Sequence, residues 1–260
     1  VTLPQAGRMR AWFVTEYGAE VVGGFAELRG WRPSRLGADR TAVRLRAGHV
    51  LTVTETALAF VQDACRCGDV CRPLDWIPEV HHPLGGGEAV IPDALLYYRR
   101  GGEGERDWSM LRAFVEVDRA TMRPERVAAK IRAYERLYRY VPTPVGRPRG
   151  SAVLEEEWRR YPLFPRLLFV LDGTGPAGVE NRLSALRAAA RLAGADFARQ
   201  VPILAAPLTE LLRAGPSAPV WQPMTEAGQC VPGLRPWQAD RLPRAGFGAA
   251  STGRQARPWA

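Results

Sequence analysis

The run Leu167-Leu-Phe-Val-Leu171 constrains the fold more than any other stretch of the chain. Apolar residues in unbroken succession suit a strand buried on both faces, and such a strand needs a layer of structure on either side of its sheet. The segments around it alternate between strand and helix patterns. Leu111 to Asp118 reads as a strand, and Pro124 suits the first position of a following helix. In that helix Val127, Ile131, Tyr134 and Tyr138 recur along one face. Arg166 to Leu171 is the next strand, Val179 to Ala193 a helix, Val201 to Ala206 a strand, and Thr209 to Arg213 a helical turn capped by Thr209. Upstream, His49 to Ala64 carries Val53, Ala57, Leu58 and Val61 at helical spacing. Trp76 to His82 and Ile91 to Tyr98 read as two strands joined by the Gly85-Gly86-Gly87 turn. The predicted class is therefore α/β: helix, three strands, helix and strand, with an added helix–strand unit.

This pattern fills residues 48–213, the expected folded domain. Ahead of it, Met9 to Thr15 reads as a strand, Glu16 to Leu28 as a short helix, and Gly30 to Arg40 as a connector. Two elements cannot close a core, so 1–47 reads as the end of something larger. After Gly215 the chain is rich in Pro, Gly and Ala without apolar period. Arg235, Arg241, Arg244, Arg254 and Arg257 there face only Glu226 and Asp240, so 214–260 is expected to be a basic, disordered tail.

Charge bears on the partner. A net charge of +9 and an isoelectric point near 10.0 favour a polyanion, with DNA the leading candidate. No apolar stretch approaches the roughly 20 residues of a membrane span and no signal peptide is read at the N-terminus, so the cytoplasm is the expected compartment. Cys65, Cys67 and Cys71, with His81 and His82 beyond them, raise the question of zinc. Their spacing lacks the paired CxxC symmetry of structural zinc sites, and reduced thiols near a helix end account for them.

The acids are more pointed. Successive strand residues alternate faces, so Phe114, Glu116 and Asp118 share one face and Ala113, Val115 and Val117 the other. Two carboxylates beside an apolar set are costly unless solvated, paired or metal-bound. Asp93 follows Pro92 at a strand start, and Glu79 and Glu55 lie near the same sheet. Of 36 basic residues Lys130 is the only lysine, and it borders the apolar stripe of its helix, from which it can reach back to the sheet. Asp93 and Glu116 with water would suit Mg²⁺ or Mn²⁺. Lys130 could orient a water or balance charge on a phosphate. The plainer alternative pairs Glu116 or Asp118 with Arg112 or Arg119 and leaves Asp93 capping a turn.

The element order, with Pro92-Asp93 and then Glu116-Val-Asp118, resembles the restriction-endonuclease-like PD-(D/E)xK core. It departs where Asp118 stands at the position of the strand lysine, a role that Lys130 would take from the helix. The chain also resembles the actinobacterial replication-relaxation family, associated with plasmid replication, relaxation and mobilisation. The matching stretches include Ala11 to Thr15, His49 to Val53, Gly68 to Trp76, Pro92 to Leu95, Phe114 to Met122, Ala129 to Tyr134 and Tyr161 to Val170. That resemblance implies work on DNA, with relaxosome or replication proteins as partners, and a winged-helix region of which the N-terminal segment is the truncated remnant. The residues themselves, with the nuclease-like pattern, offer Asp93, Glu116, Asp118, Lys130 and Glu79 as catalytic candidates, with Asp93 and Glu116 as metal ligands. Two functions stay open: a metal-dependent nuclease, and a non-catalytic DNA-binding or relaxosome-accessory protein on the same scaffold. Gly173-Thr-Gly-Pro-Ala-Gly178 matches a dinucleotide fingerprint, but the next strand ends Ala205-Ala-Pro207 without the ribose-binding acid.

Overall fold

A computed structural model describes residues 16–23, 40–101, 108–141, 161, 163–173, 175–225 and 231. Helix α1 spans Glu16–Gly23 and α2 Arg40–Cys67. Helix α2 stops at Gly68, whose φ of 72° lets the chain turn back so that the Asp69 N–H reaches the Ala64 carbonyl at 2.9 Å. The strands are β1 Trp76–Pro78, β2 His82–Gly85, β3 Glu88–Val90, β4 Ala94–Arg100 and β5 Ser109–Asp118. Then come α3 Pro124–Arg139, β6 Arg166–Leu171, α4 Pro176–Leu192, α5 Ala195–Gln200, β7 Ile203–Pro207, α6 Leu208–Ala214 and β8 Gln222–Pro223. The expected strand Met9 to Thr15 lies outside the described residues.

Six strands form one mixed sheet in the order β1-β4-β5-β6-β7-β8. Strands β5, β6 and β7 run parallel, while β1, β4 and β8 are antiparallel to their neighbours. Strand β6 is wholly buried between β5 and β7, as its unbroken apolar run requires. Helices α3 and α4 cover one face through Ile131, Tyr134, Leu183 and Leu186 against Leu95, Phe114, Leu167 and Phe169. Helices α2 and α6 cover the other through Phe60, Ala64 and Leu211 against Leu96, Val115, Leu168 and Val170. The result is a three-layered α/β domain. No helix among the described residues is long and apolar enough to cross a membrane.

Four expectations change. The Gly85-Gly86-Gly87 turn does not join two strands of the main sheet; it closes a separate hairpin of β2 and β3. Strand β1 ends at Pro78 because Glu79 takes a left-handed backbone with φ 51°, and β1 pairs with β4 across that hairpin. The expected tail begins too early at 214. Trp221 is fully buried, its indole N–H donates to the Pro216 carbonyl at 2.9 Å, and β8 adds an edge strand. Helix α6 begins after Pro207 as its N-cap rather than Thr209, since proline's fixed φ suits the turn out of β7.

Candidate functional site

The site forms where β4 begins and β5 ends. Pro92 has no N–H to donate, and the β4 ladder starts just after it. One step beyond the Ala94–Val115 pair, Asp93 comes opposite Glu116. Asp93 Oδ2 accepts the Val117 backbone N–H at 2.7 Å, and Oδ1 lies 2.9 Å from His49 Nε2 on α2. Burial pushes the Asp93 carboxyl up, but His49, the Lys130 ammonium and the Val117 N–H together hold it below its ordinary value. Asp93 is therefore ionised at neutral pH.

Glu116 points into the α3 side of the sheet with its side chain 4% exposed. Lys130 Nζ pairs with Oε2, and the Tyr134 hydroxyl donates to Oε1 at 2.5 Å. Burial pushes Glu116 up to about 7 against the pull of Lys130, and the charge on Asp93 adds to the push. Lys130 keeps 30% of its side chain in solvent. Burial disfavours its charge, yet Glu116, Asp93 and Asp118 outweigh this and raise its pKa. The two partners differ because the carboxylate is the more deeply desolvated. Tyr134, buried against Glu116, is raised well above its ordinary value.

Asp118 belongs to a different contact. Arg182 of α4 pairs with its Oδ2 through Nε and donates from Nη2 to the Met122 carbonyl at 3.1 Å. The Ala120 N–H fills the other carboxylate oxygen at 3.1 Å. This pair ties the end of β5 to α4, and the plainer alternative, in which the strand acids pair with Arg112 or Arg119, does not occur. Arg119 instead lies 3.8 Å from Asp172, which also takes a 3.4 Å hydrogen bond from Thr52.

Glu79 stays at the rim, 63% exposed and paired with Arg46 at 3.2 Å. With Asp93 and His49 it borders a groove of about 450 Å³ along α2, walled by Val53, Ala57 and Trp76. Glu55 is exposed on α2. The three described cysteines make no metal cluster: Cys71 is buried, Cys65 and Cys67 are exposed, and His82 is engaged with the Val80 carbonyl and the Tyr161 hydroxyl. Among the described residues no group of three or more His, Cys, Asp or Glu is placed to hold a metal ion. In the dinucleotide-like stretch, Gly173 has its own reason to be glycine. Its φ is 71°, and a Cβ there would lie 2.6 Å from the Arg119 carbonyl oxygen.

The structure brings Asp93, Glu116 and Lys130 together, and sequence reasoning did not single out His49 and Tyr134 as partners of this cluster or Arg182 as the partner of Asp118. His49 stands 44 residues from Asp93, Tyr134 read as one member of an apolar stripe, and Arg182 was one arginine among many. No local spacing signals any of them.

A family model described as replication-relaxation matches residues 3–146. No curated protein and no solved structure matches the chain. The match covers more than half of the sequence, and the chain belongs to the replication-relaxation family.

Proposed function

We propose that this replication-relaxation family member acts on DNA of a plasmid or other mobile element as a Mg²⁺- or Mn²⁺-dependent endonuclease. Asp93, Glu116 and Lys130 are its working groups, and relaxosome or replication proteins are its partners. The reading rests above all on the convergence of these three side chains from the start of β4, the end of β5 and the middle of α3. In it the domain is a restriction-endonuclease-like core, and Lys130 on α3 replaces the strand lysine whose position Asp118 occupies.

The donor set suits a hard cation that keeps most of its own water. Each carboxylate oxygen of Asp93 and Glu116 accepts one hydrogen bond within the protein and retains a lone pair. Mg²⁺ is commonly held by one or two carboxylates plus waters, whereas zinc prefers nitrogen and sulfur ligands. When bound, such a cation polarises a phosphoryl oxygen and acidifies water. The side chains divide the remaining work. Asp93, kept ionised by His49 and Lys130, supplies negative charge at neutral pH. Glu116, poised near 7, can take up or release a proton where the other carboxylate cannot. Lys130 keeps its proton and has enough exposure to present an ammonium to a phosphate oxygen.

One observation favours the non-catalytic alternative. Glu116, with Lys130 and Tyr134 on its two oxygens, is also a self-sufficient buried pair. Supercoiled plasmid incubated with the full chain and Mg²⁺ or Mn²⁺ separates the two. Nicking that Asp93→Ala, Glu116→Ala and Lys130→Ala each reduce by roughly 10²- to 10⁴-fold supports the endonuclease. DNA retarded on a gel without nicking by any version makes the protein a binder on a nuclease-like scaffold.

A further inference from the structure

The β4–β5 hairpin carries an arginine whose chemistry the site above does not use. Arg99 lies opposite Met110, and its backbone N–H and carbonyl both pair with Val70, at 2.9 and 2.8 Å. Its guanidinium Nε and Nη2 are shielded from solvent, and among the described residues no group accepts from them. A cation with desolvated, unpaired donors carries a free-energy cost, and a rotation of the side chain that brings its fork of N–H groups to an oxyanion in the adjoining cavity removes it. Beside Arg99 is a cavity of about 240 Å³ bordered by Arg72, Asp75, Tyr97 and Met110. At ~30 Å³ per water this has room for a phosphate group with part of its hydration shell.

The surroundings fit an anion. Arg72 and Arg99 border the cavity, and the guanidinium of Arg112 stands 5.6 Å over the ring of Tyr97, which borders it too. Asp75 is the one acid bordering the cavity, and its Oδ2 accepts the Arg72 backbone N–H at 2.8 Å. At the same end of the hairpin Trp108 leaves 53% of its surface exposed, a side chain suited to stacking against an unpaired base. Residues 112, 114 and 116 share a strand face, which puts Arg112 roughly 13 Å along β5 from Glu116, a span of a few nucleotides.

We propose that Arg99, with Arg72 and Arg112, forms a phosphate-binding site that grips the DNA backbone at a distance from the Asp93–Glu116–Lys130 cluster. The proposal rests on the DNA reading above and adds a second, non-catalytic anchor to it. Arginine is suited to this role because its planar fork meets two phosphate oxygens at once. Such a contact fixes the strand without reading its sequence.

The test is fluorescence anisotropy of a labelled oligonucleotide across a salt series, with the full chain and its Arg99→Gln, Arg112→Gln and Arg213→Gln variants. Arg213 is an exposed arginine paired with Glu210 on α6 and reports the effect of losing a charge elsewhere. Arg99→Gln and Arg112→Gln should each weaken binding about three- to tenfold near 0.1 M salt and lower the slope of log affinity against log salt by about 0.7 to 0.9. Arg213→Gln should leave the slope unchanged. Circular dichroism reports whether each variant folds, and Arg112→Gln carries the test if Arg99→Gln does not. Wild-type slopes in the folded hairpin variants overturn this site while leaving DNA binding intact. No DNA binding by the wild type overturns the DNA reading itself. Thermal stabilisation by inorganic phosphate that Arg99→Gln abolishes, with DNA slopes unchanged, assigns the site to a free phosphate compound and overturns the DNA backbone as its ligand.

Discussion

Lys130→Met tests the electrostatics of the cluster, because methionine keeps most of the stem and removes the charge. In the wild type Glu116 releases its proton near 7, whereas in an unfolded chain it does so near 4.5. Between those values the folded protein binds one more proton than the unfolded one, so stability falls with rising pH at about 1.4 kcal/mol per unit and levels off above 7. Without Lys130 the strongest pull toward the carboxylate is gone, while burial and the charge on Asp93 persist. The Glu116 pKa then climbs further, and the downward slope continues past 7. From pH 7 to 8.5 the variant should lose about 2 kcal/mol relative to the wild type from this titration alone, at about 1.4 kcal/mol per unit. Below about pH 6 the gap should shrink to the loss of the lysine's contact with a neutral acid. Urea unfolding at half-unit steps from pH 5.5 to 8.5 measures it. A stability difference that stays constant across this range refutes the claim that Glu116 and Lys130 titrate against each other, and a gap that widens toward low pH reverses its sign.

The remaining predictions concern the framework. Arg182→Met leaves Asp118 buried without its cation and should cost about 3–5 kcal/mol in urea unfolding. Arg213→Ala, which breaks the exposed pair with Glu210, should stay within about 0.5 kcal/mol. Equal costs would mean that burial does not decide the worth of these pairs. Trp221→Ala should cost about 3–5 kcal/mol, since a fully buried indole leaves a cavity between β8 and Phe60. A melting temperature unchanged by that substitution would return the segment after Gly215 to the tail.

Much of the framework was legible because its signals are local. The apolar run of β6, the stripe on α3 and the alternation along β5 each follow from one segment's own periodicity, and all three stand in the structure. The hairpin of β2 and β3 was misread because a glycine turn fixes that two strands meet without saying which sheet they join. Trp221 was hidden in a proline- and glycine-rich context where no periodicity announces a buried residue. At the site, Glu116 and Asp118 were placed on the right face, and Lys130 was rightly expected to reach it.

The sequence by itself determined that this chain builds a layered α/β domain with two carboxylates on one face of β5 and a single lysine on the helix above them. Strand alternation and helical period are properties of the backbone, so they survive in any context. Only the tertiary structure decided that Glu116 takes Lys130 and Tyr134, that Asp118 takes Arg182, and that Asp93 turns to His49. Those choices depend on how α2, α3 and α4 seat on the sheet, and that seating is set by the packing of many side chains far apart in the chain.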